Sequence, residues 1–204
     1  MDALLLRLDA LVIERGGLAL FAPLDLEIAA GALVAIEAGN GVGKTSLLRA
    51  IAGLLPEASG HIGRRRHPEA RLRLLGHQLG IKGALSVEEN LAFWSALDGQ
   101  RASRAEILAQ LDAIGLAGFE LQAGHTLSAG QRKRVALCRL ALNPGDLWLL
   151  DEPFANLDAA GCAAVARAIA AQQARGGAVV LTSHGGAFPV DLPTLRRVRL
   201  GAPA

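Results

Sequence analysis

The stretch Ala38-Gly39-Asn40-Gly41-Val42-Gly43-Lys44-Thr45 constrains this chain more than any other. It stands between a short apolar strand pattern, Leu33 to Ala38, and a helical pattern from Ser46 to Leu55 that Pro56 stops. Glycines at 39, 41 and 43 let the backbone coil with no Cβ in the way, so that N–H groups can point inward at an oxyanion. The helix that follows brings the positive end of its dipole to the same spot. Lys44 is placed to reach terminal phosphates, and the Thr45 hydroxyl suits Mg2+. The plainer alternative is a glycine-rich turn without a ligand, and the strand–turn–helix context argues against it.

A second stretch, Asp146-Leu147-Trp148-Leu149-Leu150-Asp151-Glu152, is an apolar strand ending in two adjacent acids. A buried strand would hold Asp151 at its carboxyl end, where α/β sheets bind ligands. Asp151 then suits Mg2+ through water, and Glu152 is placed to orient and deprotonate an attacking water. Alone, the pair reads equally well as two surface acids closing a strand.

At 204 residues the chain is long enough for one domain, on a scale of roughly 150 residues per domain. With 51% hydrophobic but only 3% aromatic residues and no Tyr, Leu, Ala and Val must fill its core. Lys+Arg 21 against Asp+Glu 19 is too balanced for a protein living mainly by attraction to nucleic-acid backbones. No window of about 18 residues escapes charges and Gly/Pro breaks, so no transmembrane helix is expected. The N-terminus lacks the basic region of a signal peptide, and a soluble cytosolic chain is the expectation. Cys138 and Cys162 lie outside any metal-ligand spacing and read as small buried residues.

Short β patterns cover 3–13 and 18–28, with Gly16-Gly17 turning between them. The segment 57–75 carries Arg64, Arg65, Arg66, Arg71 and Arg73, read as a solvated hairpin face with a basic contact patch as the alternative. Ser86 with Glu89 and Ser103 with Glu106 form capping boxes. Val87, Leu91 and Trp94 share one helical face, and Ile107, Leu111 and Ile114 another, which Gly115 ends. Strand patterns return at Leu147 to Asp151 and Ala178 to Thr182. The whole predicts an α/β core with a parallel sheet, an N-terminal antiparallel β subdomain and an inserted α-helical subdomain at about 83–142.

Leu127-Ser128-Ala129-Gly130-Gln131 precedes a helix of about four turns ending at Asn143-Pro144-Gly145, with Ser128 at its N-cap. Arg132, Lys133 and Arg134 crowd the first turn, against the helix dipole. A helix start that faces an anion tolerates them, which points to phosphate at Ser128 and Gly130; a Lys133 that simply faces solvent is the alternative.

Taken together, these motifs resemble the nucleotide-binding subunits of ABC transporters over nearly the whole chain, 1–204. Residues 38–45 resemble the Walker A loop, with Ala38 where Gly is usual, and Asp151-Glu152 the Walker B end. Residues 127–131 resemble the family signature with Ala129 in place of its third-position Gly. Gln78 falls at the Q-loop, Asn156-Leu157-Asp158 resembles the D-loop, and His184 falls at the switch histidine. The family's adenine-stacking aromatic is missing; Arg15, whose guanidinium plane can stack on a base, and Phe21 are the candidates.

The resemblance implies a P-loop ATPase that clamps ATP and Mg2+ between two copies. Residues 38–46 with Gln78 and Arg15 would bind nucleotide. Thr45, Gln78 and, through water, Asp151 would serve Mg2+. Glu152 and His184 would be catalytic, Ser128, Ala129, Gly130 and Gln131 would reach the partner's ATP, and Asp158 would act in the D-loop. It also implies integral membrane subunits as partners, at the cytoplasmic face of the inner membrane, with no nucleic acid. A narrower similarity lies in Gly76-His77-Gln78, Gly80-Ile81-Lys82, Leu85-Ser86, Glu89-Asn90-Leu91 and Phe93, with Ser46-Leu47-Leu48-Arg49, which resemble the haem-exporter ATPases of cytochrome c maturation. That similarity implies CcmB-like membrane subunits; His61, His67, His77 and His125 read as surface or core imidazoles, and no direct haem binding is expected. The alternatives are an ABC ATPase serving another substrate, a soluble one acting on DNA, and a nucleotide sensor without turnover.

Overall fold

In the computed structural model, which describes residues 4–56, 59–64 and 71–203, burial alternates along the first strands as the sequence pattern requires. Strand β1 (Leu4–Val12) buries Leu6, Leu8 and Leu11 and turns Arg7 outward. After the small hairpin β2 (Glu14–Arg15) and β3 (Leu18–Ala19), strand β4 (Leu24–Ala29) buries Leu24, Leu26 and Ile28 between exposed Asp25 and Glu27. A period of two with one wet face is the signature of an antiparallel sheet covered on one side. The predicted 18–28 strand is thus two strands, broken at 20–23.

Strand β5 (Leu33–Glu37) is buried at every position. So are β8 (Leu147–Leu150) and all but the last residue of β9 (Ala178–Ser183). They form the centre of a five-stranded parallel sheet of order β10-β5-β9-β8-β7, with β7 (Leu72–Leu75) and β10 (Leu195–Arg199) at its edges. Burial on both faces is what such near-continuous apolar runs demand. On one face Val34, Ile36, Leu149 and Val180 pack on helix α1 (Lys44–Ile51) and the antiparallel sheet. On the other, Leu33, Trp148, Leu150 and Val179 meet α4 (Ala129–Leu142) and α5 (Ala159–Ala174). A third cluster joins α2 (Val87–Leu97) and α3 (Arg104–Ala113) to α4 through Val87, Leu91, Ile107, Leu111 and Val135.

Four expectations change. The segment 57–75 is no hairpin: β6 (Ser59–Arg64) joins β1 in the antiparallel sheet, whereas β7 pairs with β8 in the parallel one. Arg73 is not a solvated face either, since it pairs with Asp98 at 3.2 Å and donates to the Asn143 carbonyl at 2.8 Å. Arg65, Arg66 and His67 lie outside the described residues, as do the first three. Helix α1 begins at Lys44 rather than Ser46 and stops at Ile51, because Gly43 (φ 101) starts it and Gly53 (φ 74) ends it. Trp94 does not share the buried face with Val87 and Leu91: it is half-buried, stacks under Arg139 at 4.5 Å and donates to the Gly80 carbonyl at 3.0 Å. Both capping boxes are present as expected.

Candidate functional site

Parallel strands put their carboxyl ends on one edge, and α/β folds use that edge for ligands. Here the ends of β5, β8 and β9 carry, in turn, the glycine loop, Asp151-Glu152 and the Thr182–His184 segment. They open into a cleft of about 890 Å³ lined by Asn40, Thr45, Lys133, Glu152 and His184, among others.

Gly41 (φ 78) and Gly43 (φ 101) are bent as only glycine accepts readily. A Cβ on Gly43 would also stand 2.9 Å from the Leu20 Cβ, whereas one on Gly39 would meet nothing nearer than Val42 at 3.8 Å. Lys44, only 6% exposed, lies across the loop and donates to the Ala38 and Gly39 carbonyls at 2.8 and 2.9 Å. Its third proton points to His184 Nδ1 at 3.2 Å. Because an ammonium only donates, Nδ1 must accept, which leaves the ring proton on Nε2. That nitrogen lies 2.8 Å from Glu152 Oε1. Lys44, His184 and Glu152 therefore form one directed chain.

Asp151, almost fully buried, spends both oxygens: Thr45 Oγ1 donates to Oδ2 at 2.8 Å and Thr182 Oγ1 to Oδ1 at 2.7 Å. The same Thr182 oxygen accepts the Glu152 N–H at 2.9 Å. Glu152 itself has φ 48, an uncommon backbone for a non-glycine residue that concentrates at functional sites. A hydroxyl and a carboxylate in contact are hard oxygen donors of the kind Mg2+ takes, with phosphate oxygens and water filling the remaining positions.

The structure places Ser128 at the N-cap of α4, as the sequence predicts. Ser128 caps α4, accepting the Gln131 N–H at 3.2 Å, while Gln131 Oε1 accepts the Ser128 N–H at 2.8 Å. The Gln131 side chain is thus engaged within its own chain. Ala129 lines the cleft. Gly130 packs so closely on the following loop that a Cβ would stand 3.1 Å from the Asn156 carbonyl. Two of the first-turn cations have partners within the chain: Lys133 donates to the Glu152 and Ala155 carbonyls, both at 2.8 Å, and Arg134 to the Ile114 carbonyl at 3.3 Å. Lys133 is not a solvent-facing charge; burial pushes its ammonium below the usual lysine range, against the pull of the Glu152 and Asp151 charges.

Three predicted residues stand apart from this cluster. Arg15 is exposed on the β2–β3 hairpin, and Gln78 is exposed just beyond β7, although His77 and Leu79 on either side line the cleft. Asp158 caps α5, accepting the Gly161 N–H at 2.7 Å. Phe21 is fully buried against the loop and packs in the core, so it offers no face to a base.

Three residues have bonding roles that the sequence did not predict. Thr182 bridges the acids; its signal was a polar residue closing an otherwise apolar strand. Asn90, fully buried, donates to the Lys82, Leu85 and Ser86 carbonyls and accepts the Lys82 N–H, which fixes the segment leading from the cleft into α2. Its signal was a lone amide on the apolar face of that helix. Arg197 joins Glu37, at the end of β5, to the Gly186 carbonyl beyond His184, at 2.6 and 2.7 Å. No pattern marked it, because the strand that carries it was not foreseen.

The family model for ABC transporters matches residues 21–155. A cytochrome c biogenesis ATP-binding export protein CcmA of Pseudomonas putida (strain GB-1) is 48% identical over 187 residues, covering 88% of this chain and 89% of the relative. The CcmA of Xanthomonas campestris pv. campestris (strain 8004) is 46% identical, covering 89% and 87%. Among solved structures, an ABC transporter ATP-binding protein from Pyrococcus furiosus superposes with a TM-score of 0.83 at 22% identity over 96% of both chains. An ATP-binding cassette of an ABC transporter in its ADP conformation gives 0.72 at 18% identity, covering 91% and 83%. These two likenesses show the fold. With the family model, the identity of the relatives and the phosphate loop joined to paired acids, the chain belongs to the ABC transporter ATP-binding proteins, within them to the CcmA family, and is an ATP-hydrolysing enzyme.

Proposed function

We propose that this chain is the ATPase of a haem-export complex serving c-type cytochrome biogenesis. It would sit at the cytoplasmic face of the inner membrane as a homodimer bound to CcmB-like integral membrane subunits. The observation that carries this is the 46–48% identity to CcmA proteins over nearly nine-tenths of the chain. Among the described residues no helix is long and apolar enough to cross a membrane, so a transport role needs membrane subunits from elsewhere.

The proposed chemistry follows from the site. The glycine-loop N–H groups and Lys44 bind the ATP phosphates. Lys44 exchanges its acceptors at Ala38, Gly39 and His184 for phosphate oxygens. Thr45, with Asp151 behind it, would hold Mg2+, which supplies charge neutralisation on the phosphates. Glu152 takes the proton of the attacking water, and His184 orients both Glu152 and the terminal phosphate. Phosphoryl transfer needs positioning and charge stabilisation above all, and these groups supply both. Ser128 and Gly130 complete the partner subunit's site, and Gln78 with α2 and α3 carries closure to the membrane subunits.

The test is deletion of this chain in its host, followed by haem staining of c-type cytochromes and complementation. Loss of staining that the wild-type chain restores and Glu152→Gln does not is the expected result. Normal c-type cytochromes in the deletion strain would overturn the haem reading while leaving the ATPase standing.

A further inference from the structure

The first turn of α4 and the turn after β8 are locked together inside one chain. Lys133 Nζ donates to two carbonyls of that turn, Glu152 and Ala155, both at 2.8 Å. The turn closes on itself, with the Ala155 N–H donating to the Glu152 carbonyl at 3.2 Å. It carries two non-glycine residues of positive φ, Glu152 at 48 and Asn156 at 62. Gly130 brings the helix so near that a Cβ there would stand 3.1 Å from the Asn156 carbonyl. An uncommon backbone conformation persists only when its surroundings over-determine it. Here the surroundings are Thr182 on the N–H side of Glu152 and Lys133 on its carbonyl side.

We infer that Lys133 is a positioning residue that clamps the Glu152 peptide to the first turn of the signature helix, so that movement at that helix start is felt by the carboxylate of the same chain. Two charge-assisted bonds from a half-buried ammonium are stronger than neutral ones and converge on one turn. A carboxylate displaced by about 1 Å loses much of its rate. The inference deepens the proposed function: there, the start of α4 faces the partner's ATP while Glu152 serves its own, and Lys133 joins the two within 2.8 Å of each carbonyl. Occupancy of one site then bears on the geometry of the other, with Lys133 as the hydrogen-bonded link.

The test compares the full-length wild-type chain with Lys133→Met and Lys133→Arg. Lys133→Met keeps the length and apolar stem but donates nothing; Lys133→Arg keeps the charge and the donors. Expected for Lys133→Met is a kcat lower by about tenfold with KM for ATP within about twofold, and a Hill coefficient for ATP falling toward one. Lys133→Arg should recover most of the rate. Hydrogen exchange of the 151–157 peptides should quicken in Lys133→Met, a readout that needs no turnover. Unchanged exchange there, or a Lys133→Met kcat within twofold of wild type, overturns the clamp. Should Lys133→Met not fold, Lys133→Leu takes its place, and equal rates for the Leu and Arg variants overturn the clamp as well. Quickened exchange in a chain that hydrolyses no ATP would instead count against the proposed function and leave the clamp standing.

Discussion

Thr182 donates its hydroxyl proton to Asp151 at 2.7 Å and receives the Glu152 N–H at 2.9 Å, so one buried oxygen sets the positions of two neighbouring acids. Thr182→Val keeps the shape and removes both bonds. A buried N–H and a buried carboxylate oxygen are left short of partners, a cost of about 1–3 kcal/mol for each such group. The urea midpoint should fall accordingly and phosphate release should slow, with Thr182→Ser regaining most of both. A Val variant as stable and as active as wild type would remove the bridge from the argument.

Glu152→Gln preserves the size of the side chain and removes its basicity. Since His184 Nε2 can still donate to the amide oxygen, ATP should bind with near wild-type affinity. General-base contributions of about 10²–10⁴ predict turnover lower by that factor in a phosphate-release assay. Equal rates would mean that another group takes the water's proton.

Gly39 and Gly43 of the loop differ in kind. Gly43→Ala forces a methyl group to 2.9 Å from the Leu20 Cβ at a φ of 101. Its melting temperature should drop and nucleotide affinity weaken by about tenfold or more, since α/β phosphate loops depend on close backbone approach. Gly39→Ala meets only Val42 at 3.8 Å, so its melting temperature should stay near wild type. Differential scanning fluorimetry with and without ATP separates the two.

Asn90→Asp exchanges an amide that donates to three carbonyls for a carboxylate that, once ionised, can donate to none of them. Burial and those carbonyls raise its folded-state pKa above the ordinary carboxyl value of about 3.9. The folded variant then holds its proton more tightly than the unfolded chain, so its stability deficit grows as pH rises through about 4. Urea titrations at pH 4 and pH 7 should show the larger loss at pH 7. An equal deficit at both would mean that the lost bonds, not the charge, dominate.

Cys138 is fully buried, and desolvation pushes its thiol well above the usual range. Cys162, also buried, is shifted the same way, chiefly by desolvation. Thiolate is therefore scarce at both near neutral pH. A thiol-specific chromogenic reagent should react with neither in the native chain and with both after unfolding in guanidinium.

Much of the site was legible because its chemistry lives in contiguous residues. Gly41, Gly43, Lys44 and Thr45 sit where a strand–turn–helix must put them. Asp151 and Glu152 close an apolar strand, and local rules suffice for both. Ser128 was legible as the N-cap of α4, whereas the reciprocal bond from the Gln131 side chain was not. The hairpin reading of 57–75 failed because two adjacent strands joined different sheets, a long-range pairing choice that no local pattern encodes.

Alternation, glycine placement and capping residues are properties of neighbours in the chain, and they specified the α/β class, the phosphate loop and the starts of α2, α3 and α4. The chain from Lys44 through His184 to Glu152, and the bonds of Lys133 and Thr182 to the carbonyl and N–H sides of Glu152, join residues up to 140 positions apart. Those depend on parallel strands bringing their carboxyl ends to one edge and on α4 lying against β8's turn. Hydrogen bonds require placement to within a few tenths of an ångström, and only the packed sheet and helices achieve that.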